Sequence, residues 1–83
     1  MKLRYFAWVR ERIGVTEEEV DLPGGIATVG DLLAWLKSRG PEYAHALAEP
    51  KAIRVALDKV HSRADAPVAG ASEVALFPPM TGG

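Results

Sequence analysis

The stretch Glu73–Gly83, EVALFPPMTGG, sets a strand, a stop and a tail in a row. Val74 and Leu76 alternate with Ala75 and Phe77, so Glu73–Phe77 has the period of two expected of a strand with one buried face. Pro78 and Pro79 lack a backbone N–H, so the ladder cannot pass through them, and the stiff pair carries Met80, Thr81, Gly82 and Gly83 away from the sheet. A tail ending in two glycines has no Cβ there and can enter a channel too narrow for side chains.

Working back from that strand, Ser62–Ser72 contains Asp65, Pro67 and Gly70 and reads mostly as turn. Ile53, Val55 and Leu57 alternate with Arg54, Ala56 and Asp58, which predicts a strand, and Asp58-Lys59 predicts a turn into a short strand at Val60-His61. Thr28 stands before Val29, Leu32, Leu33 and Leu36, an apolar stripe at helical spacing, with Asp31 where a capping box places its acid. Gly40 and Pro41 should end this helix. Ala44, Leu47 and Ala48 allow a short second helix between Pro41 and Pro50.

At the other end, Lys2–Val9 (KLRYFAWV) reads as a strand with Leu3, Tyr5, Ala7 and Val9 on one face and Lys2, Arg4, Phe6 and Trp8 on the other. Thr16–Leu22 reads as a second strand, with Val20 and Leu22 inward and Glu17, Glu19 and Asp21 outward, closed by Pro23, Gly24 and Gly25. The order of elements predicts an α+β domain over residues 1–83, a mixed sheet of about five strands with one main helix across one face. Phe6, Trp8 and Phe77 then point to the other face. They either form an exposed patch or are covered by loops, with Phe6 or Trp8 tucked under Arg10–Gly14.

Composition narrows the chemistry. Eighty-three residues with no cysteine leave no disulfide framework, thiolate zinc site, iron–sulfur cluster or cysteine nucleophile. Ten Lys and Arg against eleven Asp and Glu give a net charge of −1, so there is no overall field for nucleic acid. The longest apolar run, Leu32–Leu36, is far below the roughly 20 residues of a membrane span. The start of the chain lacks the basic and Leu-rich regions of a secretory signal, so a cytoplasmic protein is expected. A chain this short buries only roughly 60% of its unfolded surface, so surplus apolar residues point to partners.

Conventional catalytic constellations are missing. His45 and His61 have no carboxylate or second histidine at ligand spacing, so no metal site is expected and both read as surface or rim residues. Consecutive Glu17, Glu18 and Glu19 on a strand alternate sides and cannot share a pocket as acid and base; they suit a solvated edge. Gly24-Gly25 belongs to no phosphate-binding motif and reads as a turn.

The closing VALFPPMTGG, the opening strand followed by VRERIG, and the order of elements resemble the small, sulfur-carrier subunit family of molybdopterin synthase, across essentially the whole chain. Asp58 stands where that family often has Asn. The resemblance implies a ubiquitin-like β-grasp fold with a flexible Gly-Gly tail over residues 79–83. It implies that a partner adenylating enzyme uses ATP to activate the Gly83 carboxylate, that sulfur displaces AMP to leave a C-terminal thiocarboxylate, and that the chain itself binds no cofactor. The large catalytic subunit, expected in a heterotetramer, would then use this sulfur on cyclic pyranopterin monophosphate in molybdenum cofactor synthesis.

On that reading the chain is not an enzyme by itself. In a β-grasp sheet the first and last strands are parallel neighbours, so Phe6, Trp8 and Phe77 would make one patch beside Pro78, Pro79, Met80, Thr81 and Gly82 for both partners to dock on. Arg4, Arg10 and Arg12 could add charge at its rim. The rival readings are a carrier of the same fold for thiazole, thionucleoside or cysteine synthesis, a ubiquitin-like protein modifier, and an interaction module that is never activated.

Overall fold

A computed structural model describes residues 1–79 of the protein. Its elements are β1 (Lys2–Tyr5), α1 (Ala7–Ile13), β2 (Glu17–Glu19), α2 (Val29–Lys37), α3 (Pro41–Ala46), a 3-10 turn at Pro50–Ala52, β3 (Arg54–Leu57), β4 (Val60–Ser62) and β5 (Glu73–Phe77). The five strands form one mixed sheet in the order β2-β1-β5-β3-β4. Parallel β1 and β5 lie at its centre, and the remaining neighbours are antiparallel.

Register shows which face is buried. Leu3 lies opposite Val74 and Tyr5 opposite Leu76, while Leu76 and Val74 lie opposite Val55 and Leu57 across β3. These side chains pack with Val9 and Ile13 of α1, Leu32 and Leu36 of α2, and Leu47 just after α3 in one core. Every helix therefore covers the same face.

The α2 stripe forms as its spacing predicts, and its start is fixed by a full capping box. Thr28 Oγ1 accepts from the Asp31 N–H at 3.2 Å, and Asp31 Oδ2 accepts from the N–H groups of Thr28 and Ala27 at 3.1 and 3.0 Å. The two backbone hydrogen bonds, that of Ala27 foremost, hold the Asp31 carboxyl below the ordinary range. α2 stops at Lys37, ahead of the Gly40-Pro41 terminator, and Pro41 instead begins α3 at a position where its missing N–H has no partner to lose.

The opening segment departs from expectation. The strand predicted for Lys2–Val9 ends at Tyr5, and Ala7–Ile13 is helix. Leu3, Tyr5 and Val9 are buried, as alternation predicts, but Val9 is so because it lies four residues before Ile13 on a helix face. Ala7, at φ 51°, turns the chain out of β1. β2 is also shorter than the predicted Thr16–Leu22, although Tyr5 N–H to Thr16 O and Val20 N–H to Met1 O extend its bonding by one residue each way.

The acidic run lies on a sheet edge. Glu17 pairs with Lys2 at 3.0 Å and Glu19 with the terminal amine at 3.5 Å. Glu18 turns inward, where it accepts from Tyr5 Oη and Tyr43 Oη, both at 2.7 Å, and from Arg39 at 3.0 Å. Burial pushes its carboxyl up, but the hydrogen bonds from Tyr43, Tyr5 and Arg39 outweigh burial and hold it below the ordinary range. Burial, with Glu18 beside it, pushes the Tyr5 phenol up strongly. This carboxylate ties β1, β2 and α3 together.

Candidate docking face at the end of β5

The sheet face away from the helices is built by alternation. β5 turns Glu73, Ala75 and Phe77 outward; Arg4 lies opposite Ala75 on β1, and Arg54 lies opposite Phe77 on β3. On β4, His61 lies opposite Ala56, and its ring comes to 5.5 Å from the Phe77 ring, centroid to centroid.

Because β1 and β5 are parallel, their carboxyl ends arrive together. The Phe6 N–H donates to Leu76 O at 3.1 Å, which sets Phe6 beside the strand end from which Pro78 and Pro79 leave. Phe6 is 38% exposed, and Phe77, Pro78 and Pro79 are half-buried. The Arg4 guanidinium lies 5.3 Å from the Phe6 ring centre and 3.8 Å from Glu73, while its Nε is buried with no hydrogen-bond partner.

Trp8 does not join this patch. As the second residue of α1 it is half-buried against the core, with the Arg12 guanidinium 4.3 Å from its ring centre. The strand that would have turned it outward ends at Tyr5, so Trp8 does not share the outward sheet face with Phe77. Met80, Thr81, Gly82 and Gly83 lie outside the described residues.

Sequence reasoning read His61 as a surface or rim residue but did not place it or Arg54 on this face. Hairpin arithmetic held the signal: a two-residue turn at Asp58-Lys59 fixes β4 on β3 and sets His61 across from Ala56. Both turn residues take left-handed backbone, φ 47° and 72°. Asp58 Oδ1 accepts from the N–H groups of Ser72 and Glu73 at 3.0 and 2.9 Å, so it also braces the entry to β5.

Among the described residues the face holds an aromatic pair and two arginines but no acid–base pair or nucleophile. Among the described residues no group of three or more His, Cys, Asp or Glu side chains is placed to hold a metal ion, and no helix is long and apolar enough to cross a membrane. What the arrangement offers is a surface on which another protein can rest.

Comparison with known proteins agrees in fold and in length. The molybdopterin synthase sulfur carrier subunit of Escherichia coli (strain K12) is 35% identical over 85 residues, covering 100% of this chain and 99% of that one. The subunit of the same name from Haemophilus influenzae is 32% identical, with the same coverage. The crystal structure of SAMP1 from Haloferax volcanii superposes with a TM-score of 0.73 at 32% identity, covering 100% of this chain and 98% of that one. The parallel central pair, the sheet order and the helices on one face are the ubiquitin-like β-grasp arrangement. Since the ThiS family model matches residues 3–83, through both terminal glycines, this chain belongs to the ThiS family.

Proposed function

We propose that this chain is the sulfur-carrier subunit of a molybdopterin synthase, and that its working group is the carboxylate of Gly83. The observation that carries the reading is the extent of the family match: it runs to Gly83, and two curated carrier subunits align over the full chain.

A carboxylate is a poor electrophile at neutral pH, so the Gly83 oxygen first attacks the α-phosphorus of ATP on an adenylating partner. Pyrophosphate leaves, and an acyl adenylate forms. A sulfur nucleophile supplied there attacks the acyl carbon and expels AMP, leaving a thiocarboxylate that is ionised and polarisable at neutral pH. The large subunit then receives the tail and directs this sulfur to cyclic pyranopterin monophosphate. The chain needs no cysteine of its own and remains a non-catalytic subunit.

Each described part has a role in this scheme. Phe6 and Phe77 supply an apolar anchor, Arg4 orients the partner, and Pro78-Pro79 project the tail from a fixed strand end. Gly82 and Gly83 allow entry to two different active sites, and Met80 and Thr81 give reach. Trp8 serves the fold of α1.

The test is reconstitution: thiocarboxylated protein, large synthase subunit and pyranopterin precursor are mixed, and dithiolene formation is followed. Product from the full chain and none from a chain lacking Gly83 supports the proposal; equal product from both overturns it. A second reading, a protein modifier, is favoured by the likeness to small archaeal modifier protein 1 of H. volcanii, 30% identical with a TM-score of 0.71. It predicts higher-mass conjugates of the full chain in cells, absent without Gly83.

A further inference from the structure

A groove of about 630 Å³ lies on the helix side of the sheet, between α2 and the β3–β4 hairpin. Its floor is apolar, made by Val29, Leu33, Leu47, Ile53 and Val55. Lys37, Lys51, Arg54 and Arg63 also line it. Four of the ten Lys and Arg thus meet at one groove, while none of the eleven Asp and Glu lines it, in a chain whose net charge is −1. Lys37 belongs to the helix wall. The other three belong to the strand side, where the Arg54 guanidinium turns back from the outward face of β3 and donates to Lys51 O at 2.9 Å.

The volume is that of a pocket for one small ligand. The nine residues of α2 run for about 13 Å, enough to lie along a medium alkyl chain or two fused rings. An apolar floor gives a peptide backbone little to hydrogen-bond with, whereas a hydrocarbon body needs no such partner. The cations demand an anion at its end. We infer that this groove binds a small anionic amphiphile, an apolar body with a carboxylate head held by Lys51, Arg54 and Arg63. The site goes beyond the carrier role.

Sodium dodecanoate, below its micellar concentration, is titrated into the isotope-labelled full chain, and backbone amide shifts are followed. Saturable shifts centred on Leu33, Ile53, Val55 and Arg63 are expected. Dodecyltrimethylammonium, with the same chain and opposite charge, should bind at least tenfold more weakly, as should dodecanoate to the Lys51→Glu, Arg63→Glu double variant. Both substituted residues are exposed, so the variant keeps its dispersed spectrum. The inference is overturned by shifts that do not saturate, by equal binding of the cationic amphiphile, by an unaffected double variant, or by shifts centred on Phe6 and Phe77. No partner enzyme takes part, so this outcome is independent of the carrier proposal.

Discussion

Phe6 N–H donates to Leu76 O at 3.1 Å, so the residue just after β1 is fastened beside the last buried residue of β5. Two strand ends that are 70 residues apart in sequence thereby share one surface. That bond sets an exposed aromatic next to the point where Pro78 and Pro79 leave β5.

Phe77→Ala should weaken binding to the large synthase subunit by about tenfold or more, because aromatic anchors near an interface centre carry most of its energy. Calorimetric titration against that subunit measures it. The far-UV spectrum should stay unchanged, since Phe77 lies on the face away from the core.

Removing the Glu18 carboxylate should loosen the β2 edge. Glu18→Ala leaves the Tyr5 hydroxyl buried without its acceptor, a loss of about 1–3 kcal/mol that urea unfolding at pH 7 would register.

The same group makes stability depend on acid. Its carboxyl titrates below the ordinary range when folded and within that range when unfolded, so the unfolded chain binds the proton more readily. Its contribution is complete above the ordinary carboxylate range and disappears as pH falls through the lower folded value. The gap in urea midpoint between wild type and Glu18→Gln should therefore narrow from pH 7 to pH 3.

Two local substitutions probe backbone chemistry in opposite directions. Thr28→Ala removes the acceptor for the Asp31 N–H and should cost about 1 kcal/mol. Lys59→Gly should add up to about 1 kcal/mol, because Lys59 sits at φ 72° in a hairpin turn that glycine occupies without strain. Thermal melts, moving by about 4–8 °C per kcal/mol in a domain of this size, resolve both.

Much of this architecture is legible in the chain itself. Glu73–Phe77 alternates between two turn-forming boundaries, and the Thr28 cap with its apolar stripe admits one helical phase, so local and tertiary preferences coincide there. The segment after Tyr5 is different. Leu3, Tyr5, Ala7 and Val9 fit a strand, but Tyr5, Val9 and Ile13 fit a helix equally well, and burial of Ile13 against the core selects the helix. The misplacement of Trp8 follows from that one ambiguity. Glu18 escaped notice because a single inward carboxylate on an acidic edge has meaning only when Tyr43 and Arg39, brought in by the short α3 region, stand opposite it.

The most direct test is the intact mass of the full chain after incubation with a matching adenylating enzyme, ATP and sulfide. The carrier account predicts a shift equal to exchange of one oxygen for sulfur, mapped by fragmentation to Gly83 and lost when Gly83 is deleted. An unchanged mass under conditions in which the same enzyme thiocarboxylates its own carrier would contradict it.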